Sequence, residues 1–243
     1  MCGRYFLHRP IAEIAAFARV AERLPNFPKT FNQAPTQPAP VLRRHPQSGA
    51  RHLDILRWGL VPRWAKDASG SAKLMNARAD SIALKPSFKE AFARRRCLVP
   101  ADGFYEWHAV GQAKQPYACT LADGNPMFLA GLWEGWQQPD GEWLRTFTII
   151  TTESAGRQAR IHHRMPVILP PETWDTWLGE REAGPDELLA LMRPAPDPSL
   201  AFWPVPQRVG KFSENDPGLL ERDPLAIPLA GLDDPPVAPS PVN

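Results

Sequence analysis

The stretch YACTLADGNPMFLAGLWEGWQQPDGEWLRTFTIIT, residues 117–151, decides the fold class. Three runs rich in aromatic, aliphatic and β-branched side chains lie in it, Tyr117–Leu121, Met127–Trp133 and Leu144–Thr151. Between them stand Asp123-Gly124 and Asp140-Gly141, dipeptides that suit the positive-φ positions of tight turns. Working outward, Cys97–Val99, the run Leu53, Ile55, Trp58 into Gly59, Val167–Leu169 and Phe202–Val209 also read as strands. The helical signals are short. Pro10 opens a pattern of Ile11, Ile14, Ala15, Ala18 and Ala21 that runs to about Leu24, and Ser87 with Glu90 has capping-box spacing ahead of a helix ending at Arg94–Arg96. Two more cover Glu172–Leu178, closed by Gly179, and Asp186–Met192, while Asn32–Pro40 with its three prolines reads as a loop. No long helix alternates with the strands, so a doubly wound parallel sheet is excluded. The expectation is α+β: a single domain, mostly antiparallel sheets forming a barrel-like core with short peripheral helices.

Composition agrees. The chain has 243 residues, 43% in the hydrophobic class and 22% charged, enough for one substantial core, and its 29 prolines argue against long helices. Three cysteines without CxxC spacing make neither a disulfide framework nor a self-contained zinc site, so no metal and no cofactor is expected. No run approaches the roughly 20 apolar residues that span a bilayer, and no secretory leader is visible, so the expectation is a cytoplasmic protein without membrane contact. The net charge of +2 is uneven. From Glu214 to Asn243 six acidic side chains face Arg222 alone, which leaves 27 basic against 20 acidic in the remaining body. That surplus of +7 permits a polyanionic partner. The residues 223–243 are proline-rich, lack aromatics, and read as a disordered or loosely draped tail, dispensable for chemistry, behind a domain of residues 2–222.

The chemistry-bearing feature is Met1-Cys2-Gly3-Arg4. Loss of the initiator methionine leaves Cys2 with a thiol and an α-amine on neighbouring carbons. An α-amine titrates near 7.7–8.0 and a thiol near 8.5, so both nucleophiles are available near neutrality. Such a 1,2-aminothiol condenses with an aldehyde to a Schiff base and then closes a five-membered thiazolidine.

Further segments accompany it: Asn32-Gln33-Ala34-Pro35, Trp58-Gly59-Leu60-Val61-Pro62-Arg63-Trp64, Asn76-Ala77-Arg78, Pro100-Ala101-Asp102-Gly103-Phe104-Tyr105-Glu106-Trp107 and Ile161-His162-His163-Arg164-Met165-Pro166. In this order the set resembles the SOS response-associated peptidase (SRAP) family of abasic-site shields, from Cys2 to about Asn215. The resemblance implies autocatalytic removal of Met1 and covalent capture, through Cys2, of the ring-opened sugar of an abasic site in single-stranded DNA. The expected enzyme is thus peptidase-like (hydrolase) in its own maturation and lyase-like at the site. Closing the thiazolidine removes the C=N that would drive β-elimination and strand cleavage. Carried over residue by residue, Glu106 is the general acid/base, His162 the proton donor to the sugar O4′, and Asn76 a hydrogen-bond partner of the sugar or of the Cys2 amine. If the His162–His163 segment is extended, only one of the two rings lines the cleft, and the expectation is His162. Arg4, Arg78 and Arg164 are expected on phosphates, with Arg63 and Lys211 as further candidates, Trp64 on an exposed base, and Asn32 and Pro35 in the DNA groove. Asp80 stands where many relatives carry glutamate, and Lys211 where many carry asparagine. Two other readings stay open on the residues alone: a cysteine peptidase acting in trans through Cys2, His162 and Glu106, and a non-covalent single-strand-binding module. The expected form is a monomer, associated with the nucleoid when bound to DNA.

Overall fold

A computed structural model describes residues 2–21, 23–226 and 228–240; Met1, whose removal the sequence reading calls for, lies outside them, as does the end of the tail. The strands are β1 (Arg4–Leu7), β2 (Thr30–Gln33), β3 (Pro38–Arg44), β4 (Arg51–Trp58), β5 (Asn76–Arg78), β6 (Arg96–Ala101), β7 (Gly103–Val110), β8 (Ala113–Leu121), β9 (Met127–Gln137), β10 (Trp143–Glu153), β11 (Arg164–Pro166) and β12 (Leu200–Pro204). Five short helices accompany them: α1 (Ile11–Phe17), α2 (Lys89–Arg94), α3 (Gln158–Ile161), α4 (Trp174–Leu178) and α5 (Pro185–Ala190).

One sheet has the order β12-β8-β7-β1-β2 and is antiparallel throughout. In the other, β10, β4, β3, β6 and β9 pair in turn and β9 pairs back to β10, closing a five-stranded barrel. The expected α+β domain with a barrel-like, mostly antiparallel core is what forms. The exceptions lie on β10, which runs parallel to β4 and then to β5. After pairing with β9, β10 continues past the barrel rim, and there it holds β5 at Ile149–Thr151 and β11 at Thr151–Glu153.

Alternation along the barrel strands builds two cores at once. Val41, Val99, Leu129, Phe147 and Ile149 face Tyr5, Phe104, Cys119 and Phe202 of the open sheet. Their sequence neighbours Leu42, Leu98, Ala130 and Ile150 face α1, α2 and α4. The other side of the open sheet buries Phe6, Tyr105, Ala118 and Trp203. The chain passes from barrel to open sheet between β6 and β7, and Asp102 fixes that corner: its carboxylate accepts from the His8 N–H at 2.7 Å and the Arg9 N–H at 2.9 Å and pairs with the Arg9 guanidinium. The next residue must be glycine, because a Cβ on Gly103 would lie 2.3 Å from the Phe6 ring.

Several expectations need correction. Asn32–Pro40 is not a loop: it contributes the end of β2 and the start of β3, and Pro38 and Pro40 sit opposite Arg57 and Ile55. The helix from Pro10 stops at Phe17, because Arg19 turns left-handed (φ +55°) and the Val20 N–H closes back on the Ala15 carbonyl at 2.9 Å. The Ser87–Glu90 capping box does not form, since α2 starts after Phe88 with no side-chain cap and Glu90 pairs with Arg95.

Where it is described, the proline-rich segment lies draped over the body. Leu232 is fully buried, the Asp234 N–H donates to the Phe202 carbonyl at 2.8 Å, and the Ser240 N–H donates to the Gly124 carbonyl at 2.9 Å. It thereby covers the exposed edge of β12, where unpaired backbone groups otherwise invite another strand.

Candidate active site

Four elements converge on the N-terminus. Cys2 leads into β1; Glu106 lies on β7, the strand hydrogen-bonded to β1; Asn76 opens β5; His162 follows α3 on the way into β11. The strand β7 brings Glu106 to the sheet face shared with Phe104, since residues two apart point the same way, and that face is packed shut by Phe104, Tyr117 and Cys119. Burial pushes the Glu106 carboxyl up to about 7, opposed by the Trp107 backbone N–H, so this group exchanges protons near neutrality. The Asn76 side-chain amide donates to the Cys2 carbonyl at 2.8 Å and so ties the N-terminal segment to the barrel rim.

Cys2 does not line the neighbouring groove. Its side chain is fully buried in the chain that still carries residue 1, and burial first, then the neighbouring Glu106 charge, push its thiol far above the ordinary range. The thiol is therefore neutral. Tyr5, its neighbour in the same cluster, is pushed the same way by burial and packs tilted against Trp58 at 5.2 Å between ring centres; the Trp58 indole N–H reaches the Met75 carbonyl at 2.9 Å just before β5.

His162 has φ −154° and ψ 145°, an extended residue closing α3, with its N–H on the Gln158 carbonyl at 3.0 Å. The His162 Nδ1 lies 3.0 Å from the Arg164 N–H and 3.1 Å from the Arg164 carbonyl, so in the neutral ring one tautomer accepts from the first and the other donates to the second. Burial pulls the imidazole below its ordinary value, which favours that neutral form. The His163 ring stacks on it at 4.3 Å, and His163 lines the groove outside, so the two rings form one stack instead of taking opposite faces.

The groove, about 560 Å³, runs past Asn76 and is lined by Lys73, Arg78, Lys85 and Arg164 among others, with Glu153 the acidic member. The expected phosphate ligands fare differently. Arg78 is exposed and shares Asp80 with Arg164, at 2.6 Å and 3.5 Å. Arg164 is buried, and its guanidinium donates to the Thr151 carbonyl at 2.8 Å, so it ties β11 to β10 as well as facing the groove. Arg4 is half-buried and donates to Asn32 Oδ1 at 2.9 Å and to the Val209 and Gly210 carbonyls at 3.0 and 3.1 Å. Asn32 is not a surface contact: it is buried, and its amide reaches the Val209, Lys211 and Glu214 carbonyls at 3.2, 2.9 and 2.9 Å. Together Arg4 and Asn32 mould the 209–214 loop, whose Phe212 is 68% exposed. The sequence reading missed Phe212; its only signal is an aromatic beside Lys211. Lys73 and Lys85 were missed too, because nothing local marks a lysine as groove-lining.

Trp64 projects with 67% of its surface exposed. It stands at the end of a run whose start is fixed by Gly59, at φ +114° and with the Ser71 carbonyl only 2.7 Å from where a Cβ would sit. Pro35 is half-buried in the turn whose Thr36 N–H donates to the Trp58 carbonyl at 2.8 Å. Arg63 pairs with Glu90 at 3.7 Å on the surface. Among the described residues no group of three or more His, Cys, Asp or Glu is arranged to hold a metal ion, and no helix is long and apolar enough to cross a membrane.

Comparison with known proteins bears on this arrangement. The model of a family described as SOS response associated peptidase (SRAP) matches residues 1–212. The abasic site processing protein YoqW of Bacillus subtilis (strain 168) is 37% identical over 224 residues, covering 91% of this chain and 99% of that protein. The abasic site processing protein HMCES of Gallus gallus is 35% identical over 229 residues, 82% of this chain and 68% of the other. A solved protein structure from Bacteroides thetaiotaomicron superposes with a TM-score of 0.82 at 28% identity, covering 91% of this chain and 100% of that one.

Proposed function

Since the chain belongs to the SOS response-associated peptidase family, we propose that it processes abasic sites in DNA, and that it does so by covalent capture at Cys2 in single-stranded DNA after removing its own Met1. The observation that carries this reading is the meeting of Cys2 with Asn76 and with a buried carboxyl whose proton affinity lies near neutrality, beside a basic groove.

Maturation comes first. Hydrolysis of the Met1–Cys2 peptide bond adds water to the methionine carbonyl and returns the nitrogen of Cys2 as a free amine; in this scheme Glu106 takes a proton from the water and delivers one to the leaving nitrogen. Until then the chain holds no 1,2-aminothiol, and burial keeps its thiol protonated. Capture follows. As the ring opens to its aldehyde, the Nε2 proton of the His162 imidazolium goes to the sugar O4′ and the O1′ hydroxyl returns a proton to that nitrogen; the Cys2 amine adds to the aldehyde, Glu106 gives a proton to the departing hydroxyl, and water leaves a protonated Schiff base. The thiol then adds to the C=N carbon, its proton passing to Glu106, and the nitrogen keeps one hydrogen. The net change is aldehyde plus aminothiol to thiazolidine plus one water. Arg78 and the groove lysines hold the phosphates on either side, and Trp64 offers a face to a neighbouring base. We place the protein, as a monomer, in the cytoplasm and on the nucleoid when bound.

The test is a denaturing gel with an oligonucleotide bearing one abasic site. The mature protein should yield a band that survives denaturation on this DNA and not on intact DNA. Cys2→Ser should abolish the band while binding of an uncleavable tetrahydrofuran analogue persists, and intact mass of the active wild type should lack Met1. Protein that retains Met1 should give no such band, and its Cys2 should react with thiol reagents only after unfolding; a crosslink formed with Met1 still attached refutes the scheme.

A further inference from the structure

The family match ends at residue 212, yet the chain beyond it reaches back to the element that carries His162. That element, α3, has four residues, far too few to hold a helical conformation by itself. The body helps to fix it: the Arg157 Nε donates to Asp197 at 3.0 Å, the Arg157 Nη2 to the Leu200 carbonyl at 2.6 Å, and the His108 ring meets the Arg160 carbonyl at 2.9 Å. The remaining ties come from the tail. Arg157, at the start of α3, donates to the Asp234 carboxylate at 2.8 Å, and Arg160 in its last turn donates to the Ala230 carbonyl at 2.7 Å. Asp234 is itself anchored, since the same oxygen accepts from the Phe202 N–H at 2.9 Å. Between these two ties Leu232 is fully buried, in one apolar cluster with Ile161, the residue before His162, and with Cys2. At its near end the Leu229 N–H donates to the Tyr117 hydroxyl at 3.0 Å, and Tyr117 lies opposite Glu106 in the β7–β8 register.

We infer that residues 229–234 are a positioning strap for the active site, with Asp234 its anchor: they fix α3 and, through it, the place of the His162 imidazole relative to the sugar. Asp234 touches no reacting atom and acts through His162. None of residues 229–234 lines the groove, so DNA binding is not expected to depend on the strap. The inference rests on the reading of His162 as the proton donor in ring opening, and it reverses the expectation that the tail is dispensable.

The experiment compares two quantities in full-length protein: the single-turnover rate of crosslinking to an abasic oligonucleotide, and the affinity for the tetrahydrofuran analogue, which has no aldehyde. A misplacement of about 1 Å in a catalytic group costs on the order of 100-fold, so Asp234→Ala is expected to slow crosslinking by roughly 10- to 100-fold with analogue affinity unchanged. Asp234→Glu, which keeps the charge, should recover most of the rate. In a His162→Ala background Asp234→Ala should cost nothing further, because the group it positions is gone. Should Asp234→Ala melt below the assay temperature, Arg160→Met, which removes the tie to Ala230 and keeps the aliphatic stem, serves in the same comparison. An unchanged rate, or an equal loss with and without His162, overturns the strap. A wild type that forms no crosslink at all overturns the functional reading instead, and the strap with it.

Discussion

Glu106 is the residue whose physics is most exposed to measurement. Its carboxyl is buried on β7 and holds its proton up to about 7, whereas an unfolded chain releases that proton in the ordinary glutamate range. Between those two values the native state binds more protons than the unfolded state, so stability falls as pH rises through the window and levels off above it. Removing the ionisation removes the slope. Glu106→Gln, nearly the same shape and unable to ionise, should therefore melt above wild type at about pH 8 and close to it at about pH 4, a differential of about 3 kcal/mol for a shift of this size. Thermal scans of both proteins at the two pH values decide it. The same substitution should leave Met1 attached or slow its loss, visible in the intact mass. A residue that weakens folding at the pH where it works is one retained for chemistry and not for packing.

At the scale of elements, the strands that build the barrel were legible and the clamp on its neighbour was not. Hydrophobic runs bounded by Asp-Gly turns mark β8, β9 and β10, the last two because they pair as a local hairpin, and Gly179 marks the end of α4 because a left-handed residue, here at φ +77°, is a local need. Asn32 is different. Its sequence surroundings, prolines and small polar residues, read as a loop open to DNA, but its partners lie near residue 210, a separation that no window along the chain detects. The same holds for the tail, where proline content argues for disorder and only the buried Leu232 and the edge of β12 say otherwise. Asn32→Ala tests the clamp. It leaves three backbone carbonyls and the Arg4 guanidinium without this partner, and at about 1 kcal/mol per lost hydrogen bond the cost should be on the order of 2–4 kcal/mol in urea denaturation. An isosteric Asn32→Asp change puts an acceptor in front of those carbonyls and should be at least as damaging. A variant that unfolds like wild type would show that the 209–214 loop is held by Arg4 alone.

Across the whole molecule the charge separates by place. The acidic tail lies along β12 and α3, pairing with Arg157 and Arg222, while Lys73, Arg78 and Lys85 gather on the groove beside Asn76. A net charge of +2 therefore understates what a nucleic acid meets there. Of the residues named by resemblance, Asn76 holds the Cys2 carbonyl and the Glu106 charge acts on the Cys2 thiol; what the resemblance did not supply is the field beside them, which depends on side chains from β5, the segments on either side of it and β11. Three groove cations neutralising phosphates of a single strand give a slope of about −2 for log K against log salt, at about −0.7 per phosphate. Arg78→Ala should reduce the magnitude of that slope by about 0.7 and weaken binding equally on abasic and intact strands, because a phosphate contact carries no information about the missing base. The measurement is a salt titration of binding to the tetrahydrofuran analogue, followed by fluorescence anisotropy, for wild type and variant. Trp64→Ala should differ in kind, lowering affinity with the slope unchanged, since stacking releases no counterions. If the two variants shift the slope alike, the division of labour between the groove and its aromatic rim is wrong, and the basic surface elsewhere on the barrel carries the DNA.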